Sequence, residues 1–273
     1  MLDQLTVVNA QGDTLELPLW DTDSGYTVKE ITGLDPVKAT IVTSNFAQID
    51  GDQYQNSHRE KRNPVIKLGL SKDHPTRDVR DLRKQLYNFF MPKRPVSMIF
   101  GDSSGINYLI TGRIESFESP LFTKDPEATI SVLCFDPDFY LPDETVVSGS
   151  TVSTATEMTI NYEGDIETGV EFQLNLNRTC DGVTLYQTAG NNYIRTIEIT
   201  YDFLSGDVLK VNTVSGQKKI TVSRAGTEYS ILYARSTSSS WITLQPGENG
   251  FRAYAEGAAI PYTVSYKTKF GGL

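Results

Sequence analysis

The chain has 273 residues, 22% of them charged and 38% hydrophobic, enough for one large or two ordinary domains with cores of their own. Its formal charge of −9 argues against a protein that grips nucleic-acid phosphates over its surface. No apolar run reaches the ~18 residues of a membrane-spanning helix, and no charged-then-apolar leader precedes Leu2, so a soluble protein without an ordinary export signal is expected.

Fourteen tyrosines and 12 phenylalanines, together with many Thr, Val and Ile, favour strands. Leu5-Thr6-Val7-Val8 and Leu15-Glu16-Leu17 flank Ala10-Gln11-Gly12-Asp13 and read as a hairpin. Strands follow over 26–31 and 37–43, separated by Gly33 and Pro36. The next connection carries the polar stretch Ile49-Asp50-Gly51-Asp52 and the charged run His58-Arg59-Glu60-Lys61-Arg62, before a strand from Val65 to Leu68. So long and charged a link suits an arm gripping a neighbouring protein better than a substrate pocket.

One segment has helical spacing: Val79, Leu82, Leu86 and Phe89 recur between Pro75 and Pro92, predicting a helix within 76–91. Strands are expected over 95–100, 106–118 and 128–135. The pattern breaks at Asp136-Pro137-Asp138 and runs into the Ser/Thr-rich 148–156, where a domain boundary is expected. Beyond it, alternating segments over 156–162, 169–177, 193–201, 208–213, 218–222, 230–233 and 241–244 suggest an antiparallel sandwich. A last strand spans 262–270.

The signatures of catalysis are weak. Gly101-Asp102-Ser103-Ser104-Gly105 matches the G-x-S-x-G elbow in letters, but a strand pattern, Ile106 to Ile110, follows where a helix is needed, so a hairpin turn is expected. His58 and His74 are the only histidines and read as surface residues; no metal-ligand spacing of His or Cys occurs. The acid pairs Asp21/Asp23, Asp50/Asp52 and Asp136/Asp138 read as solvated turns. Cys134 and Cys180 are expected as buried free thiols of a protein folded in a reducing cytoplasm, and the Asn177-Arg178-Thr179 sequon as accidental. No cofactor, metal or enzymatic activity is expected.

The order of segments is itself informative: the N-terminal hairpin, GLDPVKATI, IDGDQY, REKRNPVIKLGL, a helix ending YNFFMP, then VSMIF. It resembles the N-terminal domain of distal tail proteins from bacteriophages with long non-contractile tails. WITLQPGENGFRAYAEG is similar to the segment closing that family's galectin-like domain, and VSYKTKFGGL resembles its aromatic-basic-glycine ending. The resemblance implies a mainly β protein: a tail-tube-like β-barrel with one α-helix over 1–145, completed by a returning strand within 260–273, and a galectin-like β-sandwich over 146–259. It further implies a homohexameric ring at the virion tail tip, made in the host bacterial cytoplasm. The expected partners are the tail tube protein, the tape-measure protein and a tail-associated hub, fibre or receptor-binding protein, with no sequence-specific nucleic acid and no membrane.

Carried over by position, 50–63 would be the arm between subunits. Asp50, Asp52, Tyr54, Arg59, Lys61 and Arg62 are the interface candidates, with Arg59 and Arg62 as its ion-pairing members. An alternative makes the second half a carbohydrate-binding module in which Tyr233, Trp241 and Tyr254 stack on host-wall sugars, although Trp241 reads equally well as a core residue. A wall-degrading enzyme finds no supporting residue.

Overall fold

Period-two alternation puts Leu5 and Val7 on one face of β1 (Leu2–Asn9), and Leu15 and Leu17 on the same face of β2 (Thr14–Pro18). The pair is antiparallel with Leu5 opposite Leu17 and Val7 opposite Leu15, and all four are buried. The Asn9 side chain accepts from the Gln11 and Asp13 amides, closing the turn that Gly12 completes at φ 88°. The computed structural model describes residues 1–20, 24–46, 50–151, 157–189 and 192–273. Asp21/Asp23, Ile49 and most of the expected linker at 148–156 therefore lie outside the described residues.

The remaining elements of the first part are β3 (Tyr26–Thr32), β4 (Ala39–Asn45), β5 (Asp52–Arg59), β6 (Val65–Leu70), α1 (Val79–Phe90), β7 (Pro95–Asp102), β8 (Asn107–Glu118), β9 (Glu127–Leu133) and β10 (Phe139–Tyr140). A curled sheet runs in the order β2-β1-β7-β8-β9-β6-β3. Asp78 caps α1 by accepting from the Asp81 amide at 2.8 Å. The apolar stripe buries Leu82, Leu86, Phe89 and Phe90 in one core with Leu5, Ile66, Leu68 and Met98. Tyr26, also buried, donates its hydroxyl to the Leu82 carbonyl at 2.8 Å and to Gln85 Oε1 at 2.9 Å, pinning the helix to β3. Burial pushes the Tyr26 phenol up to about 12. Gly101–Gly105 is the hairpin turn between β7 and β8, with Gly101 paired to Asn107 and Asp102 Oδ1 accepting from the Ser104 and Ile106 amides.

The second part contains β11 (Thr145–Ser150), β12 (Met158–Tyr162), β13 (Thr168–Gly169), β14 (Glu171–Asn175), β15 (Cys180–Ala189), β16 (Asn192–Phe203), β17 (Val208–Asn212), β18 (Lys219–Arg224), β19 (Thr227–Ser230), β20 (Thr243–Leu244), β21 (Gly247–Tyr254) and β22 (Pro261–Tyr266). Two antiparallel sheets, β11-β22-β14-β17-β18-β19 and β12-β21-β15-β16, share one apolar core, with the Phe172 and Phe251 rings edge to face at 5.7 Å. A short β23 (Lys269–Phe270) pairs with β10. Cys134 and Cys180 are buried free thiols, one in each core.

The chain divides into Met1–Pro142 with Phe270–Leu273, and Asp143–Lys269. The crossing lies before the Ser/Thr-rich stretch because Thr145–Ser150 is already a sandwich strand, paired along its length with β22. Pro261–Tyr266 likewise belongs to the sandwich, and the residues that go back to the first unit are 270–273. Two of the longer sandwich strands went unread in the sequence. Cys180–Ala189 opens Cys-Asp-Gly, whose Asp and Gly mask its alternation, and Gly247–Tyr254 carries Glu, Asn and two glycines in its first half.

Candidate assembly interface

Pro36 and Gly33 turn the chain out of β3. A Cβ at Gly33, whose φ is 80°, would lie 2.5 Å from the Asn63 carbonyl oxygen, so only glycine fits where the outgoing and returning strands pass. From there β4 and β5 pair with each other and, among the described residues, with no other strand. Asp52–Arg59 is thus a strand, where the sequence suggested an irregular connection: its residues alternate without an apolar face, so the period-two signal is silent. Every residue of β5 is exposed, as are Ile41 at 63% and Tyr54 at 60%.

Short polar links stiffen the hairpin. Thr43 Oγ1 and Asn45 Nδ2 donate to Asp52, Gln55 Nε2 donates to Ser44 Oγ at 2.7 Å, and Thr40 Oγ1 donates to Glu60 at 2.7 Å. At the tip, Phe46, Asp50, Gly51, Asp52 and Gln53 line a shallow depression of about 430 Å³. Asp50, Asp52, Tyr54 and Lys61 are all exposed, open to a neighbour.

The two arginines are placed differently from that expectation. Arg62 is 1% exposed. Its Nε donates to the Pro137 carbonyl at 2.7 Å, its Nη1 to Gly33 at 2.8 Å and Asp35 at 2.7 Å, and its Nη2 to Gly271, while the guanidinium lies 4.4 Å from the Phe139 ring centre. The backbone at Arg62 also bridges to Cys134 in both directions. Burial pulls the guanidinium's proton affinity below its ordinary value and pushes the Cys134 thiol up to about 12. Arg62 is therefore an internal clasp at the root of the hairpin, holding the C-terminal residues in the first unit, and its burial seals it from a neighbour.

Arg59 makes a two-pronged pair with Asp138, whose side chain is almost wholly buried; the hydrogen bond to that carboxylate raises the arginine's proton affinity. Asp136 accepts from the Asp138 amide and from the Tyr140 hydroxyl at 2.5 Å; it stays exposed, whereas Asp138 is buried and structural, not a solvated turn residue. The sequence could not show the Arg59–Asp138 pair, because its members lie 79 residues apart.

In the second unit, Tyr233 is 79% exposed on the 3₁₀ turn Leu232–Ala234. Trp241 packs against the sandwich core under Arg235 and Lys218, with the Arg235 guanidinium 5.2 Å and the Lys218 ammonium 5.7 Å from its ring centre. Tyr254 lies on β21 beside Arg252. No hydrogen bond or ring contact among the described residues joins any two of the three.

Sequence reasoning also passed over an exposed feature between β8 and β9. Leu121 and Phe122 stand in solvent there, with Phe122 in the left-handed region at φ 63°. Two adjacent large apolar residues between Pro120 and Pro126 were the available signal.

Family models match both units. A phage tail protein RIFT-related domain matches residues 21–130, and a siphovirus-type tail component C-terminal domain matches residues 163–270. The chain is thus a structural component of a phage tail. It belongs to the siphophage distal tail protein family. The crystal structure of phage SPP1 Dit (gp 19.1), described as a paradigm of the hub adsorption apparatus in phages infecting Gram-positive bacteria, superposes with a TM-score of 0.67 at 18% identity, covering 97% of this chain and 99% of that one. At that identity the likeness speaks for the fold. A chain of the activated phage p2 baseplate with strontium is more distant, with a TM-score of 0.45 and 10% identity over 98% of this chain and 99% of that one. No curated protein matches at the level of sequence.

Proposed function

We propose that this protein closes into a ring of six copies at the distal end of the tail tube, each copy reaching its neighbour through the β4–β5 hairpin. The ring joins the tube to the host-adsorption apparatus and lines the passage for DNA. The observation that carries the reading is the hairpin itself. An isolated two-stranded hairpin is marginally stable in water, and this one leaves Ile41, Val42, Phe46 and Tyr54 exposed. A neighbouring subunit would cover these side chains and the free edges of both strands. Six is the number that the family resemblance implies. The tail tube protein, the tape-measure protein and a tail-associated hub, fibre or receptor-binding protein are then the partners, and the virion tail tip is the location.

An excess of acid over base, 34 residues to 25, suits a wall past which DNA slides without sticking. The role asks for shape and contact, not for chemistry. Light scattering across a concentration series tests it: a species near six times 30.3 kDa is expected, and Ile41→Asp with Tyr54→Asp should dissolve it. A species of any other closed stoichiometry, or a ring indifferent to that double change, would refute the assignment.

A further inference from the structure

A second surface in the first unit is built to receive an acidic partner. Between α1 and the β8–β9 loop runs a groove of about 650 Å³. Among its described lining residues are four cations, Lys72, Arg80, Arg83 and Lys84, and no carboxylate, in a chain whose acids outnumber its bases. Two of the cations hold the walls together. Arg83 donates from Nε to Ser119 Oγ at 3.2 Å and from Nη2 to the Pro120 carbonyl at 3.0 Å, and Lys72 donates to the Lys124 carbonyl at 2.7 Å and pairs with Asp125 of the same loop at 3.3 Å, which leaves Arg80 and Lys84 as the cations free for a partner. Arg80 and Lys84 stand four residues apart on the exposed side of α1. Like charges at that spacing repel and weaken a helix.

The apolar part of the groove is equally unspent. Phe122 is fully exposed although its backbone occupies the left-handed region that bulky residues avoid. Tyr87 and Leu121 flank it. A strained, exposed aromatic beside two like-charged side chains is costly in an isolated subunit and useful against a partner that is both acidic and apolar.

The hairpin tip has those properties. It presents Phe46, exposed, beside the carboxylates of Asp50 and Asp52, and its described lining residues include no cation. Tip and groove belong to the same unit, yet neither set of lining residues includes a member of the other, so the match is to be made between copies. Two different patches that complement one another make a head-to-tail contact, the kind that generates rings.

We infer that the tip of the β4–β5 hairpin of one copy docks into the α1 groove of the next, with Asp50 and Asp52 facing Arg80 and Lys84 and Phe46 packing on Phe122. The inference rests on the ring reading and names the surface that receives the hairpin.

Charge reversal tests it, all four positions being exposed. Asp50→Lys with Asp52→Lys, and separately Arg80→Glu with Lys84→Glu, should each weaken assembly at least about tenfold at low salt, and the four changes together should restore it. Disulfide trapping gives a second measurement. A Gln53→Cys protein mixed with a differently tagged Lys84→Cys protein should cross-link, while Gln53→Cys with Ser104→Cys should not. A ring of normal mass with neither reversal effect nor cross-link overturns this inference and leaves the ring reading standing. Selective cross-linking without any closed species supports the contact and refutes the ring. Restored assembly together with selective cross-linking supports both.

Discussion

Replacing Arg62 by Met keeps the length and apolar stem of the side chain and removes the charge and all its donors. Arg62 serves four backbone carbonyls, those of Gly33, Asp35, Pro137 and Gly271. Hydrogen bonds from a charged donor are worth ~1.5–3 kcal/mol each, but much of that sum is offset by stripping water from the buried guanidinium. An apolar replacement can be neutral when both members of a buried pair are replaced. Here the acceptors are main chain and remain, so the net loss should be ~3–5 kcal/mol, a large part of a typical domain's stability of ~5–15 kcal/mol. The assay uses the chain's two tryptophans, Trp20 in the first unit and Trp241 in the second. Trp20 donates Nε1–H to the Leu2 carbonyl at 2.8 Å, so its emission should respond when β1 and β2 separate. With each tryptophan left alone in turn by Trp→Phe, urea unfolding of Arg62→Met should show the Trp20 transition falling by about 2 M, for a slope of ~2 kcal/mol/M, and the Trp241 transition unmoved. Arg62→Lys, which cannot fork to four acceptors, should recover less than half of the loss. A drop below about 0.5 M, or an equal fall in both transitions, would refute the clasp.

Asp207, buried on the sandwich, takes hydrogen bonds from Arg224 and the Leu204 amide, which hold its proton affinity below the ordinary carboxylate value. Its folded pKa being depressed, its stabilisation is full above the unfolded value and is lost as pH falls through the folded one. The Trp241 transition should therefore weaken in acid, and Asp207→Asn, weaker by ~2 kcal/mol at neutral pH, should flatten that dependence. Tyr26→Phe leaves the core filled but strips the hydroxyl from Leu82 and Gln85, and should lower the Trp20 transition by ~1–1.5 kcal/mol. Gly169→Ala places a Cβ 2.4 Å from Val214 Cα, whereas Gly206→Ala meets open space at φ 92°. The first should cost ~3 kcal/mol or more and the second about 1 kcal/mol, an order that thermal melts of the two variants would check.

The legible parts of this fold are those whose signal is local. The helix was readable because Leu82, Leu86 and Phe89 keep helical spacing between two prolines, and the structure starts it three residues inside the expected range because Asp78 supplies the cap. The first hairpin was readable because Leu5, Val7, Leu15 and Leu17 alternate around a glycine turn. The candidate surfaces were half legible. Asp50, Asp52 and Tyr54 are exposed on the hairpin, as an arm requires, but its strand form was hidden because a strand exposed on both faces has no alternation to read.

Periodicity and charge by themselves determined a mainly β protein with one helix and an exposed arm after the fourth strand, and the order of segments gave its resemblance to a phage-tail family. These depend on neighbours within a few residues or on the sequence of segments, both of which are written in the chain. Only the tertiary structure decided which of two arginines three residues apart is partly exposed and which is sealed. The acceptors of Arg62 come from Gly33, Asp35, Pro137 and Gly271, and the partner of Arg59 is Asp138. A charged run reads as solvated until distant backbone closes over it, and burial with enough carbonyl oxygens turns an expected contact for a neighbour into the bolt of its own fold.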